Sequence, residues 1–218
     1  MLLKKKIKHL GCALLLGLAL PLSVLSERGI TEKRLDAIEQ QYNKFARQRV
    51  RAWQQLIQDN IDATEQEKLH RVNTFFNANI QFFDDQVLWD KKDYWATPIE
   101  TLSMGGGDCE DYAIAKYFTL KQLGVDENKL RLTYVKAIEL NQAHMVLTYF
   151  KNKRAIPLVL DNLIIEIKYA TQRTDLIPVY SFNGAGLWLT KPKENRFVSD
   201  SAGLSLWQSL ILKIDKGQ

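Results

Sequence analysis

The chain has 218 residues, of which 46% are hydrophobic and 10% aromatic, enough to bury one substantial core. Its formal charge of +5 is concentrated at one end, because 4 of its 30 basic residues are Lys4, Lys5, Lys6 and Lys8. Beyond residue 26 that leaves 26 basic against 25 acidic side chains, with no basic run carrying interleaved aromatics, so no nucleic-acid partner is expected.

Residues 1–26 read as a secretory leader. The lysines form its basic start, Leu10 to Leu22 its apolar core, and Val24-Leu25-Ser26 resembles a cleavage site. That core is short for a membrane span, which leaves an uncleaved anchor as the alternative. Leu10-Gly11-Cys12 has the look of a lipoprotein cysteine, but most of the apolar core follows it, which argues against a lipid anchor. The expectation is a periplasmic protein with no membrane insertion once the leader is removed, folded as a single domain over residues 27–218. Of the two cysteines, Cys12 leaves with the leader. Cys109 is then a lone thiol in a compartment where disulfides normally form.

In chain order, Thr31 to Ile57 has helical spacing through Leu35, Ile38, Tyr42, Phe45, Val50 and Trp53. Thr64-Glu65-Gln66-Glu67 has capping-box form and opens a second helix with the stripe Leu69, Val72, Phe76, Ile80 and Phe83; both stripes are expected to face the core. Asp84 to Gly107 reads as an irregular aromatic and acidic connection around Trp89, Tyr94, Trp95 and Pro98, of the kind that shapes clefts. Helical spacing returns from Asp108 to Leu123, with Gly124 placed to end the helix. Strands are predicted at Leu130 to Ile138, Ala143 to Phe150, Ile156 to Asp161, Ile164 to Tyr169 and Ile177 to Phe182, and a docking segment at Leu204 to Ile214. Helices first and strands after predict an α+β fold with an antiparallel sheet.

The chemistry concentrates in Gly105-Gly106-Gly107-Asp108-Cys109-Glu110-Asp111-Tyr112, where a glycine-rich loop enters a helix. A helix start offers unpaired N–H groups and the positive end of the dipole, which favour a thiolate and can receive an oxyanion. Lys151-Asn152-Lys153-Arg154 reads as a hairpin turn that would lay the strand of His144 beside that of Asp161. Neighbouring strands lie about 5 Å apart, close enough for His144 and Asp161 to bond directly. Cys109, His144 and Asp161 are therefore the candidate catalytic residues, as nucleophile, base and orienting carboxylate. Of the other histidines, His9 lies in the leader and His70 is expected on a helix surface. Asp108, Glu110 and Asp111 raise a difficulty, since three carboxylates near one sulfur oppose its ionisation even where they suit a helix start. A hard cation held by those oxygens would counter them, and calcium suits that donor set better than zinc, although no EF-hand spacing is present.

Gly107-Asp108-Cys109-Glu110-Asp111, followed by His144 in one strand and Asp161 in the next, resembles the bacterial transglutaminase-like cysteine protease family, within it the periplasmic adhesin-processing branch. The likeness runs from about Trp95 through Asp161. It implies a papain-like or transglutaminase-like fold and a calcium-dependent endopeptidase that cuts near the N-terminus of a large surface adhesin at a paired-alanine site. Asp108, Glu110 and Asp111 are the implied metal ligands. It also implies sequestration by the periplasmic domain of an inner-membrane cyclic-di-GMP receptor. A transglutaminase or amidase on the same fold, and a non-catalytic periplasmic binding module, remain open.

Overall fold

A computed structural model describes residues 29–191, 194–199 and 205–216; the expected leader, with Cys12, lies outside them. Among the described residues no helix is long and apolar enough to cross a membrane.

The single helix expected from Thr31 to Ile57 is two, α1 (Glu32–Gln41) and α2 (Lys44–Asn60). Tyr42 leaves helical dihedrals, and the Asn43 side chain then accepts from the Ala46 N–H at 2.9 Å. Asparagine is a poor interior residue and a strong cap, so a local signal divides an otherwise continuous apolar stripe. Helix α3 (Glu65–Asn79) starts at the Thr64–Glu67 capping box as predicted and buries Leu69, Val72 and Phe76.

Two short helices order the connection that was expected to be irregular: α4 (Asp85–Leu88) and α5 (Pro98–Met104). The latter carries a second capping box, Thr97 with Glu100, and proline at its start. Between these helices and their neighbours, β1 (Gln81–Phe82) pairs in parallel with β2 (Gly106–Gly107). Helix α6 (Cys109–Gln122) follows at once. It is buried at every position from Glu110 to Tyr117, and it packs on the sheet on one side and on α3 and α5 on the other. A helix covered on all sides lies in the middle of the molecule, and α6 carries the charged Glu110, Asp111 and Lys116 there with its apolar residues.

Strands β3 (Leu130–Ala137), β4 (Gln142–Tyr149), β5 (Leu158–Leu160), β6 (Lys168–Tyr169), β7 (Leu176–Asn183), β8 (Gly186–Lys191) and β9 (Glu194–Ser199) form one antiparallel sheet. Their order is β6-β5-β4-β3-β7-β8-β9. The predicted strand at Ile164 to Tyr169 survives only as β6, and β8 and β9 extend the sheet beyond the prediction. Met145, Leu147 and Tyr149 of β4 join the main core with α6, while Val146 meets Val135 and Val159 in a smaller cluster on the opposite face. Helix α7 (Ser205–Asp215) docks as expected, its Trp207 stacking on Phe118 with ring centroids 5.8 Å apart. The helices-then-sheet order of an α+β fold holds, and it sets the start of α6 against the middle of β4.

Candidate active site

Cys109 opens α6 because the loop before it is pinned on both sides. Gly105 ends α5 in the left-handed region at φ 69°, which glycine alone adopts without strain. The Gln81 and Phe83 N–H groups then hold the Gly105 and Gly107 carbonyls, each at 3.1 Å. A side chain on Gly107 would meet the Asp111 Cβ and Oδ2 at 2.7 Å, so this Cα has to be bare for the loop to pass over Asp111. Asp108 occupies the N-cap position without making a capping hydrogen bond, so capping does not account for it.

Burial, then Glu110 and Asp108, push the Cys109 thiol well above its ordinary range; a backbone hydrogen bond from Met145 pulls the other way. Met145 is the residue after His144 on β4, so the sulfur stands against the strand that carries the predicted base. The thiol donates to Glu110 Oε2 at 2.9 Å rather than to the imidazole. The acids beside the sulfur thus outweigh the helix start, as their number in the sequence suggested.

His144 and Asp161 are joined directly, Nε2 to Oδ1 at 2.8 Å, with both side chains buried. That contact leaves Nδ1 as the ring nitrogen available to a sulfur. The same Oδ1 accepts the backbone N–H groups of Asn162 at 2.7 Å and Leu163 at 3.2 Å, while Oδ2 accepts Arg173 Nη2 at 2.7 Å. Burial alone would push the Asp161 carboxyl up. The bonds from His144 and Arg173 more than offset it and hold the group at about 2. Its backbone carbonyl accepts from Asn77 Nδ2 at 2.8 Å and from the buried Lys116 Nζ at 3.1 Å. Sequence pattern indicated neither Lys116 nor Arg173: one sits in an apolar helix, the other in a polar turn, and nothing in spacing marks a partner 45 or 12 residues distant.

The predicted metal ligands Asp108, Glu110 and Asp111 do come together, but through two acids the prediction lacks. Asp85, Asp108 and Asp111 form one group and Asp85, Asp93 and Glu110 another, the oxygens within each lying within 4.8 Å. Asp85 belongs to both. Asp85 Oδ2 accepts the Tyr94 N–H at 2.5 Å and Asp111 Oδ1 the Ala96 N–H at 2.8 Å, which fixes their other oxygens toward the cluster. Asp85 Oδ1, Asp108 Oδ1 and Asp111 Oδ2 are buried without a partner. Burial first and neighbouring carboxylates second push Asp85 up to about 6 and Asp108 up to about 10, and hold Asp111 well above its usual range. Orphaned, mutually repelling, all-oxygen donors fit a hard divalent cation such as calcium and offer zinc no nitrogen or sulfur cluster.

The profile of a family described as bacterial transglutaminase-like cysteine proteinase BTLCP matches residues 37–189. Solved structures of Legionella pneumophila LapG resemble this one at 40% sequence identity. An EGTA-treated form superposes with a TM-score of 0.75, covering 85% of this chain and 98% of that one. A calcium-bound form gives a TM-score of 0.72, covering 85% and 99%. No curated protein sequence matches the chain.

Proposed function

As the chain belongs to the bacterial transglutaminase-like cysteine proteinases and is thereby a cysteine protease, we propose that Cys109, His144 and Asp161 are its catalytic residues. The observation that carries this reading is the buried His144–Asp161 bond on the strand whose next N–H reaches the Cys109 sulfur. His144 Nδ1 takes the thiol proton as the sulfur attacks a peptide carbonyl, and the imidazolium then gives that proton to the leaving amine. Asp161 holds the ring's tautomer through Nε2 and stabilises the cationic form. The Cys109 N–H, at the first position of α6, has no carbonyl one turn earlier in the helix and is a donor for the oxyanion. Water then cleaves the thioester by the same route in reverse.

The cluster formed by Asp85, Asp93, Asp108, Glu110 and Asp111 is the calcium site in this reading. It is supported by the orphaned carboxylate oxygens and by the existence of a calcium-bound form of the similar LapG. Calcium bound there supplies positive charge beside the sulfur. Glu110, which accepts the thiol at 2.9 Å, would be among the residues that hold the ion together with Asp85 and Asp93.

The adhesin substrate, its paired-alanine cleavage site, the role in releasing cells from biofilm, the periplasmic location and inhibition by a cyclic-di-GMP receptor's periplasmic domain complete the proposal. They rest on the motif around Cys109 and on likeness to LapG. The test is cleavage of an adhesin N-terminal fragment containing an Ala-Ala bond. Cys109→Ala should abolish it, Asp161→Asn should lower kcat by about 10³–10⁴-fold, and chelation should suppress it. Cleavage that survives Cys109→Ala would sink the reading, and incorporation of an added amine in place of new termini would convert it to a transferase.

A further inference from the structure

The buried Arg173 has no part in the mechanism above, yet it touches the Asp161 carboxylate on which that mechanism turns. We propose that Arg173 is a positioning residue for the protease reaction: it locks the Asp161 carboxylate in the one orientation that directs Oδ1 at His144 Nε2. The proposal rests on the catalytic reading of Cys109, His144 and Asp161.

Both oxygens of Asp161 are committed. Oδ1 takes the imidazole and two backbone N–H groups, so Oδ2 is left to Arg173 Nη2 at 2.7 Å. Without that donor the carboxylate could rotate and share its hydrogen bonds between two equivalent oxygens. Arg173 is itself anchored on its far side by Asp175, through Nε to Oδ1 at 3.0 Å and Nη2 to Oδ2 at 2.8 Å. Arg173 also lines a cavity of about 210 Å³ with Thr133, Thr148 and Val159. The ion pairs to Asp161 and Asp175 hold its guanidinium at this wall.

The arrangement is costly as mere scaffolding. The Arg173 side chain is 1% exposed and its Nη1 is buried without a partner. Removing a charge from water is only partly repaid by its ion pairs, and an orphaned buried N–H adds to the cost. An apolar side chain at this place would fill the cavity wall and tie down the turn at less expense. What it could not do is hold one oxygen of a buried carboxylate.

Outer partners of this kind typically affect function by about 10–100-fold. The test is a mutant cycle on the full chain with calcium present, read by cleavage of the Ala-Ala fragment and by the NMR resonance of the His144 Nε2 proton. Arg173→Met should lower kcat by about 10–100-fold with KM unchanged within about twofold, and shift the His144 resonance. Arg173→Lys should recover part of the loss. In an Asp161→Asn background, Arg173→Met should change kcat by less than about twofold, since the group it acts through is gone. An equal loss in both backgrounds, or no loss in either, overturns the proposal. If Arg173→Met does not fold, Asp175→Asn takes its place: a smaller fall in kcat and a shifted resonance support the proposal, and a change in neither overturns it. If the wild-type protein cleaves nothing, the protease mechanism fails separately. The His144 resonance then decides for Arg173, supporting its role if shifted in the variants and refuting it if not.

Discussion

Asp161 and Asp108 are the same residue type, one buried and one half-buried, and the fold drives them in opposite directions. Asp161 is met by an imidazole, a guanidinium and two backbone amides, which hold its carboxyl at about 2. Asp108 is met by Asp85, Glu110 and Asp111, and burial with that repulsion pushes it up to about 10. Desolvation acts on both; the partners decide its outcome. One cluster is electrostatically complete within the protein. The other leaves oxygens of Asp85, Asp108 and Asp111 buried without a partner, which is where the proposed calcium would bind.

That contrast breaks most visibly at Asp85, the acid shared by both overlapping groups. Calcium at 100 times its Kd should stabilise the wild-type chain by about 2.7 kcal/mol, a rise in Tm of roughly 5–10 °C. Asp85→Asn should reduce the rise to less than about 2 °C, and in chelator it should melt higher than the wild type because one uncompensated buried charge is gone. Thermal melts with and without calcium read both effects without any substrate. An undiminished calcium shift in Asp85→Asn would place the ion elsewhere.

The complete cluster can be tested by pH. Asp161 has a folded pKa of about 2 against an ordinary 3.8, so its stabilisation is fully present above pH ~4 and is lost as pH falls through 2. A depression of that size is worth on the order of 2 kcal/mol. Urea unfolding at pH 5 and at pH 2.5 should show the wild type losing more stability than Asp161→Asn by a large part of that amount. The other carboxylates titrate in both proteins and cancel in the difference. Parallel loss in the two proteins would mean that Asp161 is not held in its charged form.

The two clusters also differ in how far the sequence announced them. Cys109, His144 and Asp161 were legible as candidates because a glycine-rich loop before a helix and two successive strands are local patterns, and β4 does pair with β5 although a longer connection than the expected turn joins Tyr149 to Leu158. The α+β order and α3 with its capping box were legible for the same reason. Asp108, Glu110 and Asp111 drew attention as charges beside a sulfur, but Asp85 and Asp93 did not. They enter the site only because α4 packs on β2 and α5 on α6, and those helices are too short to show a period. Arg173 was hidden for a related reason. Its partner lies across a turn with no regular spacing, where the expected strand at Ile164 to Tyr169 shrinks to two residues. The break between α1 and α2 shows the converse, a local cap at Asn43 overriding a long apolar period.

Asn77 gives the smallest and most discriminating test of the complete cluster. Its Nδ2 donates to the Asp161 carbonyl at 2.8 Å, and Lys116 Nζ reaches the same oxygen at 3.1 Å. Asn77→Ala therefore removes one of two donors and leaves the carbonyl satisfied, so the loss in stability should be about 1 kcal/mol. Asn77 Oδ1 is buried without a partner, and deleting it removes a cost along with the bond, which pulls the figure lower still. No bond to the carboxylate changes, so kcat should stay within about threefold of wild type, since the oxygens facing His144 and Arg173 keep every donor they had. Chemical denaturation and steady-state kinetics on the same variant separate the two effects. If Asn77→Ala instead loses as much activity as Asp161→Asn, then the placement of the strand end governs catalysis. The pairing of the carboxylate would be secondary, and the complete cluster would owe its function to the backbone rather than to its charges.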